Sequence, residues 1–248
     1  MIYTKSEKEI DLMREACKVV KDTLAFVGSK ICAGMSTKEV DELVERYIRA
    51  SGAYPSCLGY GGFPASACVS VNETVVHGIP THDRILKEGD IVSVDLCAYK
   101  NGFHGDACRT FKIGKVAPEH EKLIKVTEEC FFKGIEGLRA GTPLFDIGYR
   151  VQQHAEAHGY GVIRSYTGHG IGREMHEDPS VPNYGRKGTG IRLKKGMAIA
   201  IEPMINAGVY QVDFMSDGWG VVTRDRKPSA HYENTVVITD SGVEILTL

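Results

Sequence analysis

A repeat with a constant offset constrains the fold of this 248-residue chain more than any other feature of its sequence. Three glycines take part: Gly34, Gly52 and Gly89 recur 107 positions later as Gly141, Gly159 and Gly196. At the same offset the apolar segment that ends in Asp95 aligns with the segment that ends in Glu202. This repeat predicts one duplicated α/β domain, 1–248, whose halves cover about 5–112 and 113–248 and are related by pseudo-twofold symmetry.

Each half is predicted to begin with two helices. Apolar residues recur at helical spacing, and serine, threonine and glycine stand at the expected ends. The predicted helices cover 7–28, 38–51, 118–138 and 142–158.

Residues 91–111 predict a β-hairpin, because two alternating apolar segments flank an Asn-Gly pair that favours a two-residue type I′ turn. The loop places Asp95 opposite Cys108 and Asp106 opposite Cys97, so both aspartates lie on one face with Cα atoms about 7–8 Å apart. Two like charges in one space require a cation between them. In an isolated hairpin both carboxylates could instead face water.

Composition and charge exclude several functional classes. A formal net charge of −2 gives no reason to expect nucleic acid or a membrane surface as a partner. No apolar run approaches the roughly 20 residues of a membrane span, and residues 1–9 are too polar for a secretion signal, so we expect a cytosolic protein. The seven scattered cysteines contain no Cys-x-x-Cys pair and should be reduced thiols.

The second half contains further residues of the kinds that bind metal ions, and they lie at the ends of predicted secondary-structure elements. His169 lies between glycines, where backbone can approach a ligand closely, and Glu233 enters an apolar strand, where an unpaired carboxylate is costly. Together Asp95, Asp106, His169, Glu202 and Glu233 offer four carboxylates and one imidazole. Such donors suit Mn, Fe or Co, and also accept Zn. This many carboxylates favours two ions, about 3.5–4 Å apart, over one.

Six motifs carry a family resemblance. They are Asn-Glu-Thr-Val-Val-His-Gly-Ile-Pro at 72–80, Gly-Phe-His-Gly-Asp at 102–106, Gly-His-Gly-Ile-Gly at 168–172, His-Glu-Asp-Pro at 176–179, Ile-Glu-Pro-Met-Ile-Asn-Ala-Gly at 201–208 and Tyr-Glu at 232–233. In this order they resemble the type I, bacterial-type methionine aminopeptidases of the pita-bread family. The resemblance implies an α+β fold in which duplicated helix-helix-strand halves surround a curved antiparallel sheet.

The resemblance also implies how the ligands divide. Asp95, Asp106 and Glu233 would hold one ion, and Asp106, His169, Glu202 and Glu233 the other. A water between the ions would attack the first peptide carbonyl, with Glu202 as proton acceptor. The family's monovalent-cation site, for Na or K, would lie at Asn72, a carbonyl near Thr74, and Ser229.

Substrate contacts follow from the same resemblance. His176 would stabilise the oxygen that becomes negative in the tetrahedral intermediate, and His77 would contact the scissile amide. The implied methionine pocket consists of Cys57, Tyr60, Phe63, Cys68, His77, His176 and Trp219, and such apolar, sulfur-rich walls suit a thioether. Some positions depart from the commonest family pattern: Phe63, Met175, Cys97 and Asn234.

The leading hypothesis is therefore a metallo-exopeptidase that removes the initiator methionine from nascent polypeptides when the second residue is small. We expect a monomer whose partners are nascent N-termini and the ribosome near its exit tunnel. Two alternatives stay open: a Xaa-Pro-type peptidase of the same fold, and a metal-free binding protein that has kept the fold.

Overall fold

The computed structural model describes residues 2–248. Its α-helices are α1 Glu7–Gly28, α2 Thr37–Ala50, α3 Pro118–Ile135 and α4 Phe145–Ala157. All four predicted helices are confirmed, and their bounds differ from the predicted ones by at most three residues. The sequence explains where two of these helices begin. Ser36 and Glu39 form a capping box at α2, and Pro118 occupies the first turn of α3.

The strands are short except for the predicted hairpin. They are β1 Tyr54–Pro55, β2 Cys68–Val71, β3 Thr74–Val76, β4 Ile91–Lys100, β5 Phe103–Lys112, β6 Gly161–Val162, β7 Gly168–Gly170, β8 Glu177–Val181, β9 Ala198–Ile201, β10 Met204–Asn206, β11 Val212–Phe214, β12 Val221–Thr223, β13 Ser229–His231, β14 Asn234–Ile238 and β15 Val243–Ile245. A 3₁₀ turn, Tyr60–Gly62, lies between β1 and β2. Helices and antiparallel sheets together confirm the α+β class.

The strands form four hydrogen-bonded sheets rather than one continuous sheet. One contains β1, β4, β2 and β5, and another has the order β15-β14-β9-β7-β8. The two remaining sheets have three strands each, in the orders β13-β10-β6 and β11-β12-β3. All strand pairs found within residues 2–248 are antiparallel.

The hairpin has the predicted register. Asp95 pairs with Cys108, and Cys97 pairs with Asp106. The turn residues Asn101 and Gly102 both have positive φ, as a type I′ turn requires.

The offset seen in the sequence reappears in the element bounds. Helices α1 and α3 end at Gly28 and Ile135, and α2 and α4 end at Ala50 and Ala157. Equivalent core residues repeat as well: Leu24, Val40 and Val92 are buried in the first half, as are Phe131, Ile147 and Ile199 in the second. The helices of each half therefore cover one face of its sheet and leave the other face toward the opposite half.

Two strands, one from each half, meet at the centre of the molecule. The backbone N–H of Asp106 donates to Thr235 Oγ1 (3.0 Å), and the Thr235 hydroxyl donates back to the carbonyl oxygen of Asp106 (2.8 Å). The Glu233 N–H donates to the carbonyl oxygen of Cys108 at 3.1 Å. The two carboxylate-bearing strands β5 and β14 are thus fixed against each other by hydrogen bonds. None of the helices within residues 2–248 has the length and apolar character needed to span a membrane.

Candidate metal centre and substrate cavity

The five predicted metal ligands come from both halves and meet where β5 contacts β14. Asp95 lies in β4 and Asp106 in β5, whereas His169 lies in β7. Glu202 directly follows β9, and Glu233 directly precedes β14. Hydrogen bonds between β5 and the segment 233–235 bring the two halves together here, which explains why residues so far apart in sequence converge.

The distances between these groups are short enough for shared ions. His169 Nε2 lies 3.8 Å from Asp106 Oδ2 and 3.8 Å from Glu202 Oε1. Asp106, His169 and Glu233 each place one donor atom within 4.8 Å of the others. Asp106 and Glu233 are buried and the side chain of His169 is only 12% exposed, so water screens their interactions poorly.

Burial dominates the electrostatics of the acidic groups. It raises the pKa of Asp95 to about 7, and a hydrogen bond from Glu233 partly opposes that rise. Burial also raises the pKa values of Asp106, Glu202 and Glu233 well above the usual range, and the negative charges of neighbouring carboxylates add to the effect. Four acidic groups therefore share a space that a positive charge would stabilise.

The imidazole of His169 is oriented as a ligand. Burial, and then the nearby His176, lower its pKa to about 3, so the ring is neutral. Its Nδ1 lies 2.9 Å from the carbonyl oxygen of Gly170, which can only accept a hydrogen bond. The proton consequently sits on Nδ1, and the lone pair of Nε2 faces the carboxylates.

These residues fit a pair of divalent ions. Oδ1 of Asp106 is buried and has no hydrogen-bond partner among residues 2–248. Buried carboxylates without basic partners are costly, and a hard or borderline divalent ion removes that cost. Oxygen-rich donors with one imidazole match Mn, Fe, Co or Zn better than metals that prefer thiolates.

A cavity of about 340 Å³ opens onto the acidic cluster. All of the predicted pocket residues line it: Cys57, Tyr60, Phe63, Cys68, His77, His176 and Trp219. The rings of Phe63 and Trp219 meet edge to face with centroids 5.1 Å apart. Four of the five predicted metal ligands also face this cavity, while Glu233 lies behind its wall.

Two histidines border the space between the apolar wall and the acidic cluster. His176 Nδ1 lies 2.8 Å from the Tyr60 hydroxyl, and its ring is 4.3 Å from that of His169. His77 has a positive φ of 57° and packs edge to face on Tyr166 at 5.3 Å. Burial lowers the pKa values of His77 and His176, so both rings are neutral hydrogen-bonding groups near neutral pH.

The sequence-based prediction missed two groups at this site. Tyr166 lines the cavity beside His77. His231 is only 2% exposed, and its Nε2 lies 3.8 Å from Glu202 Oε2 and 3.9 Å from Glu233 Oε2. The repeat gave no signal for His231, because at its offset Asp106 aligns with Asp213, and only the strand pairing shows that Met204–His231 occupies in the second half the place of Cys97–Asp106 in the first.

Two departures from the family pattern lie next to predicted donors, since Cys97 pairs with Asp106 and Asn234 follows Glu233. Cys97 is fully buried, burial raises its thiol pKa well above the usual range, and its Sγ lies 3.7 Å from His104 Nδ1. Burial and a raised pKa both slow the reaction of a thiol with oxidants, which favours packing as the role of Cys97. Asn234 Oδ1 accepts a hydrogen bond from Arg109 at 2.7 Å, and Arg109 also donates to the Glu233 carbonyl oxygen at 2.6 Å.

The three residues predicted around a monovalent cation lie close together. The Ser229 N–H donates to the carbonyl oxygen of Asn72 at 2.8 Å, and Thr74 begins β3 two residues after Asn72. The Asn72 side chain is engaged within the chain, since its amide donates to Asp90 and its Oδ1 accepts from the Ile91 N–H. Backbone carbonyls and the Ser229 hydroxyl oxygen, which donates to the Ile205 carbonyl at 3.3 Å and can still accept, are therefore the groups available to a cation here.

The family model for metallopeptidase family M24 matches residues 11–240. The chain belongs to metallopeptidase family M24. The methionine aminopeptidase of Clostridium acetobutylicum is 54% identical over 100% of this chain and 99% of its own length. This M24 chain also superposes on the crystal structure of methionine aminopeptidase from Rickettsia prowazekii with a TM-score of 0.98, at 46% identity and full coverage of both chains.

A more distant M24 fold relative gives a useful contrast. The prolidase from Pyrococcus furiosus aligns with a TM-score of 0.80 at 23% identity, over 99% of this chain but 65% of the prolidase. At that identity the likeness concerns the fold alone. Together these matches confirm the predicted pita-bread fold.

Proposed function

We propose that this M24 chain is a methionine aminopeptidase that removes the N-terminal methionine from polypeptides whose second residue is small. The observation that carries the proposal is the junction of two surfaces in one cavity. An apolar wall of aromatic rings and thiols lies directly beside a buried cluster of carboxylates. The full-length relative at 54% identity carries the same activity in its name.

The proposed ion ligands are the converged donors Asp95, Asp106, His169, Glu202 and Glu233. When bound, two divalent ions would polarise the substrate carbonyl and make a water acidic enough to act as a nucleophile near neutral pH. The buried carboxylates supply the negative charge that such ions need, and the Nδ1–H bond of His169 fixes its ring toward them.

Glu202 is the proposed proton acceptor. It lines the cavity, and burial raises its pKa well above the usual range for a carboxyl group. A carboxylate with a raised pKa accepts a proton more readily and can return it to the leaving amine. The neighbouring Asn183 Nδ2 holds the backbone of Glu202 by donating to its carbonyl oxygen at 2.8 Å.

The two neutral histidines are the proposed substrate contacts. When the Tyr60 hydroxyl donates to Nδ1 of His176, the ring proton is on Nε2. That N–H would then donate to the substrate oxygen that becomes negative during the reaction. His77 lies between Trp219 and Tyr166, with ring centroids 6.3 and 5.3 Å away, and reaches the amide region from the pocket side.

We assign recognition of the methionine thioether to the apolar residues that line the cavity. Cys57, Cys68, Phe63 and Trp219 form one apolar cluster. Sulfur and aromatic edges are favourable neighbours for methionine, whereas a charged side chain would lose its hydration there.

The direct test compares Met-Ala-Ser with Met-Lys-Ser after the protein has been loaded with Mn, Fe, Co or Zn in separate samples. We expect methionine release from the first peptide and little from the second, with chelated protein as the inactive control. No release from Met-Ala-Ser with any ion would reject the activity. Equal release from both peptides would reject the rule on the second residue.

Both alternatives predict other outcomes. A Xaa-Pro-type peptidase would cleave a Xaa-Pro dipeptide panel and leave the methionyl peptides intact. A metal-free binding protein would hold no stoichiometric divalent ion after reconstitution. The full-length methionine aminopeptidase relatives and the buried donor cluster favour neither alternative.

The remaining proposals concern the cellular setting. Residues 1–248 would act as one catalytic domain, as a cytosolic monomer that meets nascent chains near the ribosomal exit tunnel. A monovalent Na or K ion would bind the carbonyls near Asn72, Thr74 and Ser229. Activity measured in sodium, potassium and large organic-cation buffers checks the last point, and equal rates would count against it.

A further inference from the structure

A second cluster of metal-ligand types lies outside the cavity, on the surface of helices α3 and α4. Glu129 belongs to α3, His154 to α4, and His158 is the C-cap residue of α4. One ligand atom from each lies within 4.8 Å of the other two. Donor atoms around one tetrahedral zinc ion are about 3.3 Å apart, so small side-chain rotations would bring all three to one ion.

The helical spacing produces this arrangement. His154 and His158 are four residues apart and lie on one face, with ring centroids 4.6 Å apart. Glu129 approaches from the adjacent helix, and its Oε2 is 2.9 Å from His154 Nε2. Ligands from two helices are therefore already in contact before any ion binds.

Hydrogen bonds also orient the individual donors. His158 Nδ1 lies 2.8 Å from the carbonyl oxygen of His154, which can only accept, so the proton is on Nδ1 and the lone pair is on Nε2. The contact with His154 Nε2 holds the Glu129 carboxylate beside the two imidazoles. Lys125 approaches the other carboxylate oxygen, Glu129 Oε1, at 3.7 Å, and an exposed pair of this kind contributes little, so it does not hold the carboxylate away from an ion.

We propose that Glu129, His154 and His158 form a peripheral site for one divalent transition-metal ion, separate from the proposed two-ion centre. Two imidazoles and one carboxylate favour zinc, nickel or copper over magnesium or calcium. With three protein ligands, water completes the coordination. The ion cross-links α3 to α4, both of which carry core residues of the second half.

The chain offers a matched control for this site. His82 is an exposed histidine that does not belong to the cluster. Changing it to glutamine removes one surface imidazole, as the changes at His154 and His158 do. Neither those two histidines nor His82 lines the substrate cavity.

The test uses full-length protein whose catalytic centre is first saturated with Mn²⁺, and then titrates Zn²⁺ in the presence of excess Mn²⁺. Equilibrium dialysis with elemental analysis should show one more zinc ion per chain for wild type and H82Q than for the double variant H154Q/H158Q. Single variants and E129Q should bind that ion at least about tenfold more weakly. Zinc should raise the Tm of wild type and H82Q more than that of the double variant.

Three results separate the possible failures. Equal zinc stoichiometry in wild type and the double variant overturns the peripheral site. Absence of any extra zinc in wild type overturns it without reference to a variant. Release of methionine from Met-Ala-Ser by the Mn²⁺ protein, with unchanged rates in the double variant, shows that the variant is folded and tests the proposed function independently.

Discussion

The two halves share one backbone plan but use it differently. In the first half Asp95 faces Cys108 across the hairpin, and Asp106 faces Cys97. In the second half Ile201 pairs with Asn234 and Met204 with His231, and this register places Glu202 opposite Glu233. The two carboxylates of the first half, Asp95 and Asp106, are therefore diagonal neighbours, whereas those of the second half, Glu202 and Glu233, lie directly opposite each other.

The difference extends to the cavity. The first half supplies most of the apolar wall, including Cys57, Phe63 and Cys68, whereas the second half supplies His169, Glu202 and Glu233. Both halves point side chains at the centre, and each contributes to both surfaces, since Asp95 and Asp106 come from the first half and Trp219 from the second. Neither half alone contains both a complete donor set and a complete wall.

The strongest test of this comparison replaces Asp106, the first-half residue that belongs to the proposed ligand sets of both ions. Asp106→Ala should lose an ion and lower kcat/KM by more than about 1,000-fold, because an interaction worth several kcal/mol is removed. Elemental analysis and peptide kinetics measure the two effects. Cys108→Ala, in the same strand, is the control and should keep both ions. An Asp106→Ala protein with two tightly held ions would show that Asp106 is not a shared ligand.

The second test concerns the opposed pair of the second half. Glu202→Gln keeps size and hydrogen-bonding capacity but removes the proton acceptor, so kcat should fall by about 10²–10⁴-fold. Thermal unfolding should show a folded protein, and KM for Met-Ala-Ser should change far less than kcat. Near-normal kcat would remove Glu202 from the proton-transfer role.

The third test asks what His231 does at the position that corresponds to Asp106. His231→Leu places an apolar group beside Glu202 and Glu233, so ion affinity should fall by about 10–100-fold. His231→Gln keeps a polar group there and should recover most of that affinity. Calorimetric titration of the metal-free protein measures both. Equal affinities for wild type and the leucine variant would mean that this position does not support the ligands.

The smallest effect is expected where the halves meet across the cavity. Tyr60→Phe removes the hydroxyl bonded to His176 Nδ1 and leaves the ring in place. The loss of one such hydrogen bond, about 0.5–1.5 kcal/mol, should lower kcat/KM by about two- to tenfold. Steady-state kinetics measure this, with His176→Ala as the reference for complete loss of the group. A Tyr60→Phe rate as low as that of His176→Ala would mean that the hydroxyl itself contacts substrate.

Local patterns predicted much of this architecture. The Asn-Gly pair determined the hairpin register, because a two-residue loop leaves one way to align Asp95 and Asp106. Constant spacing along the chain then predicted that Asp95 and Glu202 occupy equivalent strand ends. Both predictions depend on positions counted along the chain, and the helix and strand bounds agree with them.

Other features depend on packing that no local pattern contains. The sequence around His231, Ser-Ala-His-Tyr-Glu-Asn at 229–234, does not show whether this histidine supports metal ligands or packs in a core. The cluster of Glu129 with His154 and His158 depends on how α3 rotates against α4. The curved antiparallel sheet that the resemblance implied consists of four hydrogen-bonded sheets, and two of these are separated because β9 and β10, and likewise β13 and β14, are interrupted beside Glu202 and Glu233.

The Thr235 hydroxyl that bonds both backbone groups of Asp106 has a consequence for synthesis of the protein. It ties β5 to a strand more than a hundred residues later, next to Glu233. During translation the first half can form its hairpin and carry Asp95 and Asp106 long before their partners exist. The growing chain therefore lacks part of the proposed donor set until Glu233 emerges and β14 docks, so ion binding at the proposed centre would follow the assembly of both halves.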